Sequence, residues 1–298
     1  MTTEQLSSPE TRINSLSRKN CRLLIFSHYL NRVLLLAAVV LFLYGLGSNY
    51  STRRYLKGFS DAIVPLEGSP EAKSEALLGW LREEPDRRNP ATRGTGNSRD
   101  PVGIVQDTRL LKICGSASNA FINLAEAAGL RTRRLLLLDA SGGTNHVVVE
   151  VKWDERWVVV DPSFRSVFRD HSGRALTRED LRNPEIFREA TSRIRNYNPT
   201  YTFDHTVHIH LTRIPVLGSP LRQALNFLFP TWEELVNWGY LPENPSIWPI
   251  VVSLPLFLLG IFIRLIVFRY SRGQFGIETV GFRRRLMETG RVLLHKSA

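Results

Sequence analysis

Cysteine is scarce in this 298-residue sequence, which contains only Cys21 and Cys114. Two cysteines exclude the disulfide framework that holds many small secreted domains together. Between residues 51 and 246 Cys114 is the only thiol, so no partner for a disulfide exists in that region. A lone thiol at this position therefore calls for a chemical explanation.

An excess of charge is also missing from the middle of the chain. The net charge of +11 and the isoelectric point near 10.1 would suit a nucleic-acid binder. Residues 1–32 carry +3 of this charge and residues 264–298 carry +6, so the 231 residues between them carry only +2. A nearly neutral domain offers no basic face, and we expect no nucleic-acid partner. The basic ends instead predict flanks of a membrane-spanning protein.

Two long hydrophobic stretches lie just inside these basic ends. Residues 33–52 and residues 247–263 contain no charged side chain. Each stretch is about long enough to cross a hydrocarbon core of ~30 Å at 1.5 Å per residue. The alternatives are a cleaved signal peptide for the first stretch and a buried core helix for the second. Arg53, Arg54 and Lys57 weaken the first assignment, because they place positive charge at its other end too.

Charge and hydrophobicity together divide the chain into six predicted segments. Because both outer flanks are basic, the positive-inside bias places both termini in the cytoplasm and the central domain outside it. We therefore expect a two-pass protein of the plasma (inner) membrane with the lipid bilayer as a partner, and the oligomeric state stays open. The segments are a basic N-terminal segment (1–32), a transmembrane helix (33–50), an α+β domain (51–216), a juxtamembrane helical segment (217–246), a second transmembrane helix (247–268) and a basic tail (269–298).

Local patterns in the central domain predict helices and short strands, without internal repeats. Ser69 and Pro70 are typical of a helix N-cap and first position, and Thr177 with Asp180 resembles a capping box. Alternating Val and Leu residues indicate strands. The predicted helices cover residues 70–84, 114–128, 177 onward, 184–195 and part of 220–240; the strands cover 134–139, 146–153, 157–161 and 201–214; residues 85–101 form a loop.

Cys114, His146 and Asp161 form the most informative constellation. Cys114 falls at a helix start, where the helix dipole and free N–H groups favour the nucleophilic thiolate. His146 and Asp161 lie on consecutive strands, and a two-residue or four-residue turn puts them on the same sheet face, whereas a three-residue turn separates them. On one face, the carboxylate would fix the imidazole tautomer and the imidazole would activate the thiol.

Other candidate residues carry weaker signals. Gln106 lies eight residues before Cys114 and is a candidate donor to an oxyanion. His208 and His210 share one face of a predicted strand, with His205 nearby, and are a candidate metal site. No cysteine or carboxylate spacing accompanies these histidines, so we expect an exposed strand, no metal and no cofactor. Arg133 and Arg134, at the start of a predicted strand, are expected to be solvated charges with no role in the site.

The segment 114–162 resembles the core of the transglutaminase-like superfamily, which has a papain-like fold, in a membrane-anchored bacterial form. The matching elements, which cover about fifty residues, are Cys114-Gly115 opening a helix with Ala117 and Phe121, Gly129-Leu130, His146 with Val149-Glu150-Val151, Trp157, and Asp161-Pro162. Two positions depart from the family pattern. Val148 replaces an aromatic residue, which we expect to alter the substrate cleft, and Glu155 replaces the usual glycine of the hairpin turn, which we expect to strain it.

The resemblance implies both a fold and a chemistry. The implied fold is α+β, with a helix packed on an antiparallel sheet, here flanked by two transmembrane helices. The implied chemistry is acyl transfer through a thioester, with Cys114, His146 and Asp161 as catalytic residues and an extracytoplasmic protein, peptide or cell-envelope amide as substrate. Transamidation, deamidation and hydrolysis all remain open, so the enzyme class is a transferase or a hydrolase. A catalytically silent binding or scaffold module of a membrane assembly is the alternative.

Overall fold

The structure is a computed structural model that describes residues 9–83, 100–106, 108–209, 218–229, 232 and 245–275. The α-helices are α1 (Pro9–Ile63), α2 (Pro70–Glu83), α3 (Pro101–Gln106), α4 (Cys114–Ala127), α5 (Arg178–Leu181), α6 (Pro184–Ser192), α7 (Gly218–Leu228) and α8 (Trp248–Phe275). Within these ranges, Thr108–Lys112 and Pro245–Ile247 form 3₁₀ helices. The strands are β1 (Thr132–Leu138), β2 (Thr144–Trp153), β3 (Arg156–Asp161), β4 (Ser166–Val167) and β5 (Thr206–Val207).

The strands form one antiparallel sheet in the order β4-β3-β2-β1-β5. The three long strands are consecutive in sequence and lie side by side, as short connections favour. Helices and sheet together give the α+β class that the sequence predicts.

Apolar side chains cover both faces of the sheet. On one face Val149 and Val151 pack against α4, whose side chains from Ser116 to Ala125 are all buried. On the other face Val148 and Val159 join a second cluster with Leu135, Phe168 and Phe203. Because neighbouring residues of a strand point to opposite faces, this division follows directly from the period of two in the valine-rich sequence.

Caps recognisable in the sequence delimit several helices. Ser69 accepts a hydrogen bond from the N–H of Ala72 at the start of α2. Thr177 and Asp180 form the predicted capping box at α5. Gly129 follows α4 with a φ of +84°, a left-handed conformation that glycine adopts at little cost.

Contacts divide the chain into two compact units, residues 1–47 with 248–298 and residues 48–247. Two helical stretches, Phe26–Ile63 and Pro245–Tyr270, are long and apolar enough to cross a membrane, with mean hydropathy 2.0 and 2.7 in their most apolar windows. Only 11% of the second window is buried, which argues against the buried core helix considered for it. Both stretches indicate a membrane protein.

Within the first unit, α1 and α8 pack closely at glycines. A Cβ on Gly45 would lie 2.7 Å from Ile250 Cγ1 and 2.9 Å from the Ile250 backbone nitrogen, and a Cβ on Gly260 would lie 2.6 Å from Leu35 Cδ2. Gly45 faces Ile250, and Leu35 faces Gly260. Residue numbers therefore fall along α1 as they rise along α8, which means that the two helices are antiparallel. Small residues at such contacts let helix backbones approach in a membrane.

Gly45→Ala is expected to destabilise this helix pair relative to Gly47→Ala by about 1–3 kcal/mol, because its methyl group would overlap the α8 backbone. Gly47 is the matched control: it lies on the same helix, but nothing is within 4 Å of its added Cβ. Both variants gain the same helix propensity. Unfolding midpoints in sodium dodecyl sulfate measure the difference, and equal midpoints would contradict the packing.

The main departure from the predicted elements concerns residues 201–214. The period-two pattern predicts a strand over the whole range, but only Thr206–Val207 pairs with β1, and residues 210–217 lie outside the described part. Residues 201–204 form no strand and bring Tyr201 against another ring instead. The predicted loop 85–101 falls almost entirely on residues that the structure does not describe, as do 233–244 of the juxtamembrane segment.

Candidate active site

Cys114 is the first residue of α4, as the sequence predicts. The preceding residue, Ile113, occupies the N-cap in an extended conformation and provides no side-chain acceptor there. The side chain of Cys114 is half-buried, so the thiol keeps a route to solvent. Interactions with His146 and with the backbone N–H groups of Gly115 and Val147 lower the pKa of its thiol.

His146 and Asp161 meet on the same sheet face. His146 Nε2 lies 2.7 Å from Asp161 Oδ2, and the two side chains are 2% and 0% exposed. The other carboxylate oxygen of Asp161 accepts the N–H groups of Ser163 at 2.9 Å and Phe164 at 3.1 Å, which fixes the carboxylate in place. Because Nε2 serves Asp161, the Nδ1 side of the imidazole is left for Cys114. The three side chains therefore form a row in which His146 is hydrogen-bonded to Asp161 and interacts electrostatically with the thiol of Cys114.

The β2–β3 hairpin explains why the row forms. Trp153 pairs with Arg156 across a two-residue turn, which is one of the turns that the sequence analysis allows. The left-handed backbone conformation falls on Asp154, with φ of 51°, and not on Glu155. The expected strain at Glu155 is therefore wrong, because aspartate tolerates this conformation better than most residues.

The electrostatics of the row favour a Cys114 thiolate paired with a His146 imidazolium. The hydrogen bond with His146 lowers the pKa of Cys114, and this outweighs the burial that would raise it. Burial lowers the pKa of His146, but hydrogen bonds and charges from Asp161 and Cys114 outweigh it and raise the value to about 9. The raised pKa stabilises the folded domain fully below the ordinary histidine value of 6.5, and this contribution disappears as the pH rises through about 9.

Aromatic rings cover the imidazole, and sequence reasoning missed them. Tyr201 stacks flat on His146 with ring centroids 4.2 Å apart and planes inclined by 4°, while Phe164 and Tyr197 approach its edge at 5.9 and 6.4 Å. Stacking on an aromatic face stabilises a cationic imidazolium and fixes its orientation. Burial, with the nearby charge of Asp161, raises the pKa of Tyr197, so this phenol stays neutral.

Arg133 and Arg134 are not the solvated charges that the sequence suggested. Arg133 is buried, donates to Glu150 Oε2 at 2.6 Å and lies 4.1 Å above the Trp157 ring. Arg134 is partly buried and donates from Nη2 to the Gly115 carbonyl at 3.2 Å, behind the start of α4. An alternating strand pattern does not reveal such partners, because they come from other elements.

His208, one of the three histidines considered as metal ligands, binds a carboxylate instead. His208 is buried and not on an exposed strand, and its Nε2 lies 2.7 Å from the same Glu150 oxygen that binds Arg133. His210 lies outside the described residues. No group of three His, Cys, Asp or Glu side chains in the described ranges is placed to hold a metal ion.

The structure also bears on the expectations for Val148 and Gln106. Val148 is fully buried in the second apolar cluster, so its departure from the family pattern changes the core and not an open cleft. Gln106 ends α3 with an exposed side chain, and its oxyanion role stays a prediction.

The family comparison covers the same segment as this geometry. Residues 57–162 match the model of the transglutaminase-like superfamily, and the match includes Cys114, His146 and Asp161. No curated protein and no solved structure matches the sequence. The chain therefore carries a transglutaminase-like domain, together with two helices capable of spanning a membrane.

Proposed function

We propose that this protein is a membrane-anchored cysteine acyltransferase or amidase in which Cys114 is the nucleophile, His146 the general acid and base, and Asp161 the orienting group. The observation that carries the proposal is the 2.7 Å contact of the imidazole with Asp161, together with the interaction of the same imidazole with Cys114 that lowers the pKa of the thiol. A nucleophile, a base and a group that orients the base are the minimum for thiol catalysis.

The reaction follows from the protonation states. The Cys114 thiolate attacks the carbonyl carbon of an amide, forming a C–S bond, and the C–N bond breaks as the His146 imidazolium gives its proton to the leaving nitrogen. The product is a thioester and free amine or ammonia. Water or a second amine then attacks the thioester, His146 takes its proton, and the thiolate is regenerated. No cofactor is needed for this sequence.

The oxyanion formed in each step needs hydrogen-bond donors. The N–H groups of Gly115 and Val147 approach the Cys114 sulfur and are the best-placed candidates in the described residues. Gln106 is a further candidate donor from α3. In this proposal, donors at the start of α4 also benefit from the positive end of the helix dipole.

The substrate is proposed to be an extracytoplasmic protein, peptide or cell-envelope amide. This rests on the proposed topology, with the domain outside the cytoplasm and both termini inside. The antiparallel arrangement of α1 and α8 supports termini on the same side, and the basic flanks support the cytoplasmic side.

Reporter fusions test the topology. A fusion at residue 298 and an insertion near residue 95 are expected to give opposite compartment signals, because one α8 crossing separates them. A cytoplasmic signal from both positions would contradict the two-pass arrangement.

A catalytically silent binding module is the alternative function. The half-buried Cys114 and the polarised row argue for turnover, because a scaffold has no need of an accessible thiol beside an imidazolium. Incubating the membrane-embedded protein with envelope polypeptides and a biotin-labelled primary amine separates the two. Biotin on new amide bonds indicates transamidation, while deamidated side chains or new amino termini indicate hydrolysis. If wild type and Cys114→Ala give identical products, the scaffold function is supported.

A further inference from the structure

A cavity of about 690 Å³ lies between the C-terminal part of α1 and the last turns of α4. Residues Tyr50 to Lys57 contribute the α1 wall, and Asn123 and Glu126 belong to the α4 wall. All of them lie in the compact unit 48–247. Cys114, His146 and Asp161 are not among the lining residues, so the cavity is separate from the candidate active site.

The length of α1 places this cavity near the membrane surface. The candidate span Phe26–Ile63 has 38 residues. At 1.5 Å per residue it is about 57 Å long, almost twice the ~30 Å of a hydrocarbon core. The uncharged residues 33–52 are sufficient to fill that thickness. The helix from Arg53 onward therefore lies beyond the hydrocarbon, at the depth of lipid headgroups.

The cavity wall is cationic at that depth. Arg53, Arg54 and Lys57 line it, against the single carboxylate of Glu126. Arg54 Nη1 donates to the Tyr50 hydroxyl at 3.2 Å, and a guanidinium with five N–H donors keeps further donors for a ligand. Lys57 forms an ion pair with Asp61 one turn along the same helix. With Asp61 counted, three cations stand against two carboxylates, so the wall keeps a net charge of +1 towards an anion.

The same wall also has an apolar part. Leu56 lines the cavity but is only 3% exposed, so the ring of Tyr50 and the methyl group of Ala127 supply most of the apolar surface. A cavity with cations at one part and apolar side chains at another suits an amphipathic molecule better than a fully hydrated ion.

We propose that this cavity binds the phosphate of an anionic phospholipid headgroup through Arg53, Arg54 and Lys57. Free phosphate shares this chemistry, but the headgroup depth and the apolar wall favour the lipid. The proposal also accounts for the positive charge beyond the first hydrophobic stretch, which the positive-inside bias leaves unexplained. Bound lipid would hold the domain to the membrane at α4, the helix that begins with Cys114.

Titration calorimetry on the full-length protein in a neutral detergent tests the site. The probes are dihexanoyl phosphatidylglycerol, dihexanoyl phosphatidylcholine and inorganic phosphate. The cavity variant combines Arg53→Gln, Arg54→Gln and Lys57→Gln. The control variant combines Arg188→Gln, Arg193→Gln and Arg195→Gln, which removes the same charge from exposed positions at and after α6. Thermal unfolding in the same detergent establishes that each variant is folded, and Arg53→Gln alone replaces the triple variant if that one is not.

The expected result is that the wild type binds phosphatidylglycerol at least about tenfold more tightly than phosphatidylcholine or phosphate. The cavity variant is expected to lose at least about tenfold in phosphatidylglycerol affinity, and the control variant less than about twofold. Equal affinity for free phosphate would overturn the assignment to lipid. An equal loss in the control variant would overturn the cavity as the site. Neither result depends on catalysis by Cys114.

Discussion

Cys114→Ala is expected to reduce acyl transfer by at least about 10⁴-fold while leaving the domain folded. Without the sulfur no thioester forms, so only the uncatalysed background remains. Alanine fits the half-buried site and suits the first turn of a helix. Product formation on a genuine substrate and thermal unfolding are the two measurements.

Cys21→Ser is the matched control for this variant. It removes the only other cysteine of the chain, in the first half of α1, and is expected to keep full activity. If Cys114→Ala kept wild-type turnover, the thioester mechanism would be wrong. If both cysteine variants lost activity equally, the effect could not be assigned to the nucleophile.

Asp161→Asn is expected to lower kcat by about 10³–10⁴-fold with little change in KM. The asparagine oxygen can still accept the N–H groups of Ser163 and Phe164. Its NH₂ group then faces His146 Nε2 and forces that nitrogen to accept. The imidazole proton moves to Nδ1, on the side of Cys114, where it prevents removal of the thiol proton.

Asp170→Asn is the matched control for the aspartate change. Asp170 also caps a turn, accepting the N–H groups of Ser172 and Arg174, but it lies on an exposed loop. A modest effect on stability and none on kcat is expected. Equal kcat losses in the two variants would show that turn capping, and not imidazole orientation, is what Asp161 contributes.

The sequence predicts the parts of the site that depend on local periodicity. Small apolar residues at helical spacing place Cys114 at a helix start, and strand alternation limits where Asp161 can lie relative to His146. Whether His146 and Asp161 share a sheet face depended only on the length of the β2–β3 turn. The two-residue turn Asp154–Glu155 places them on the same face, where they form a hydrogen bond.

The sequence does not predict the aromatic cover or the buried charges. Tyr201 reaches His146 because it precedes β5 and lies outside the sheet. The alternating pattern of residues 201–214 instead predicts that Tyr201 belongs to a strand. Arg133 looks solvated because its partners, Glu150 and the ring of Trp157, come from other strands. Such tertiary contacts have no periodic signature in a single sequence.

The rate of Cys114 alkylation by iodoacetamide as a function of pH tests the central claim, an activated thiol paired with His146. In the Cys21→Ser background Cys114 is the only thiol. Its pKa lies below the ordinary value of 9.0, while His146 stays protonated up to about 9, so the alkylation rate should rise and reach its plateau at a lower pH than that of an ordinary thiol. In His146→Asn the main cause of the lowered pKa is gone, and the profile should move towards higher pH. A wild-type profile with the midpoint of an ordinary thiol, unchanged by His146→Asn, would contradict the account.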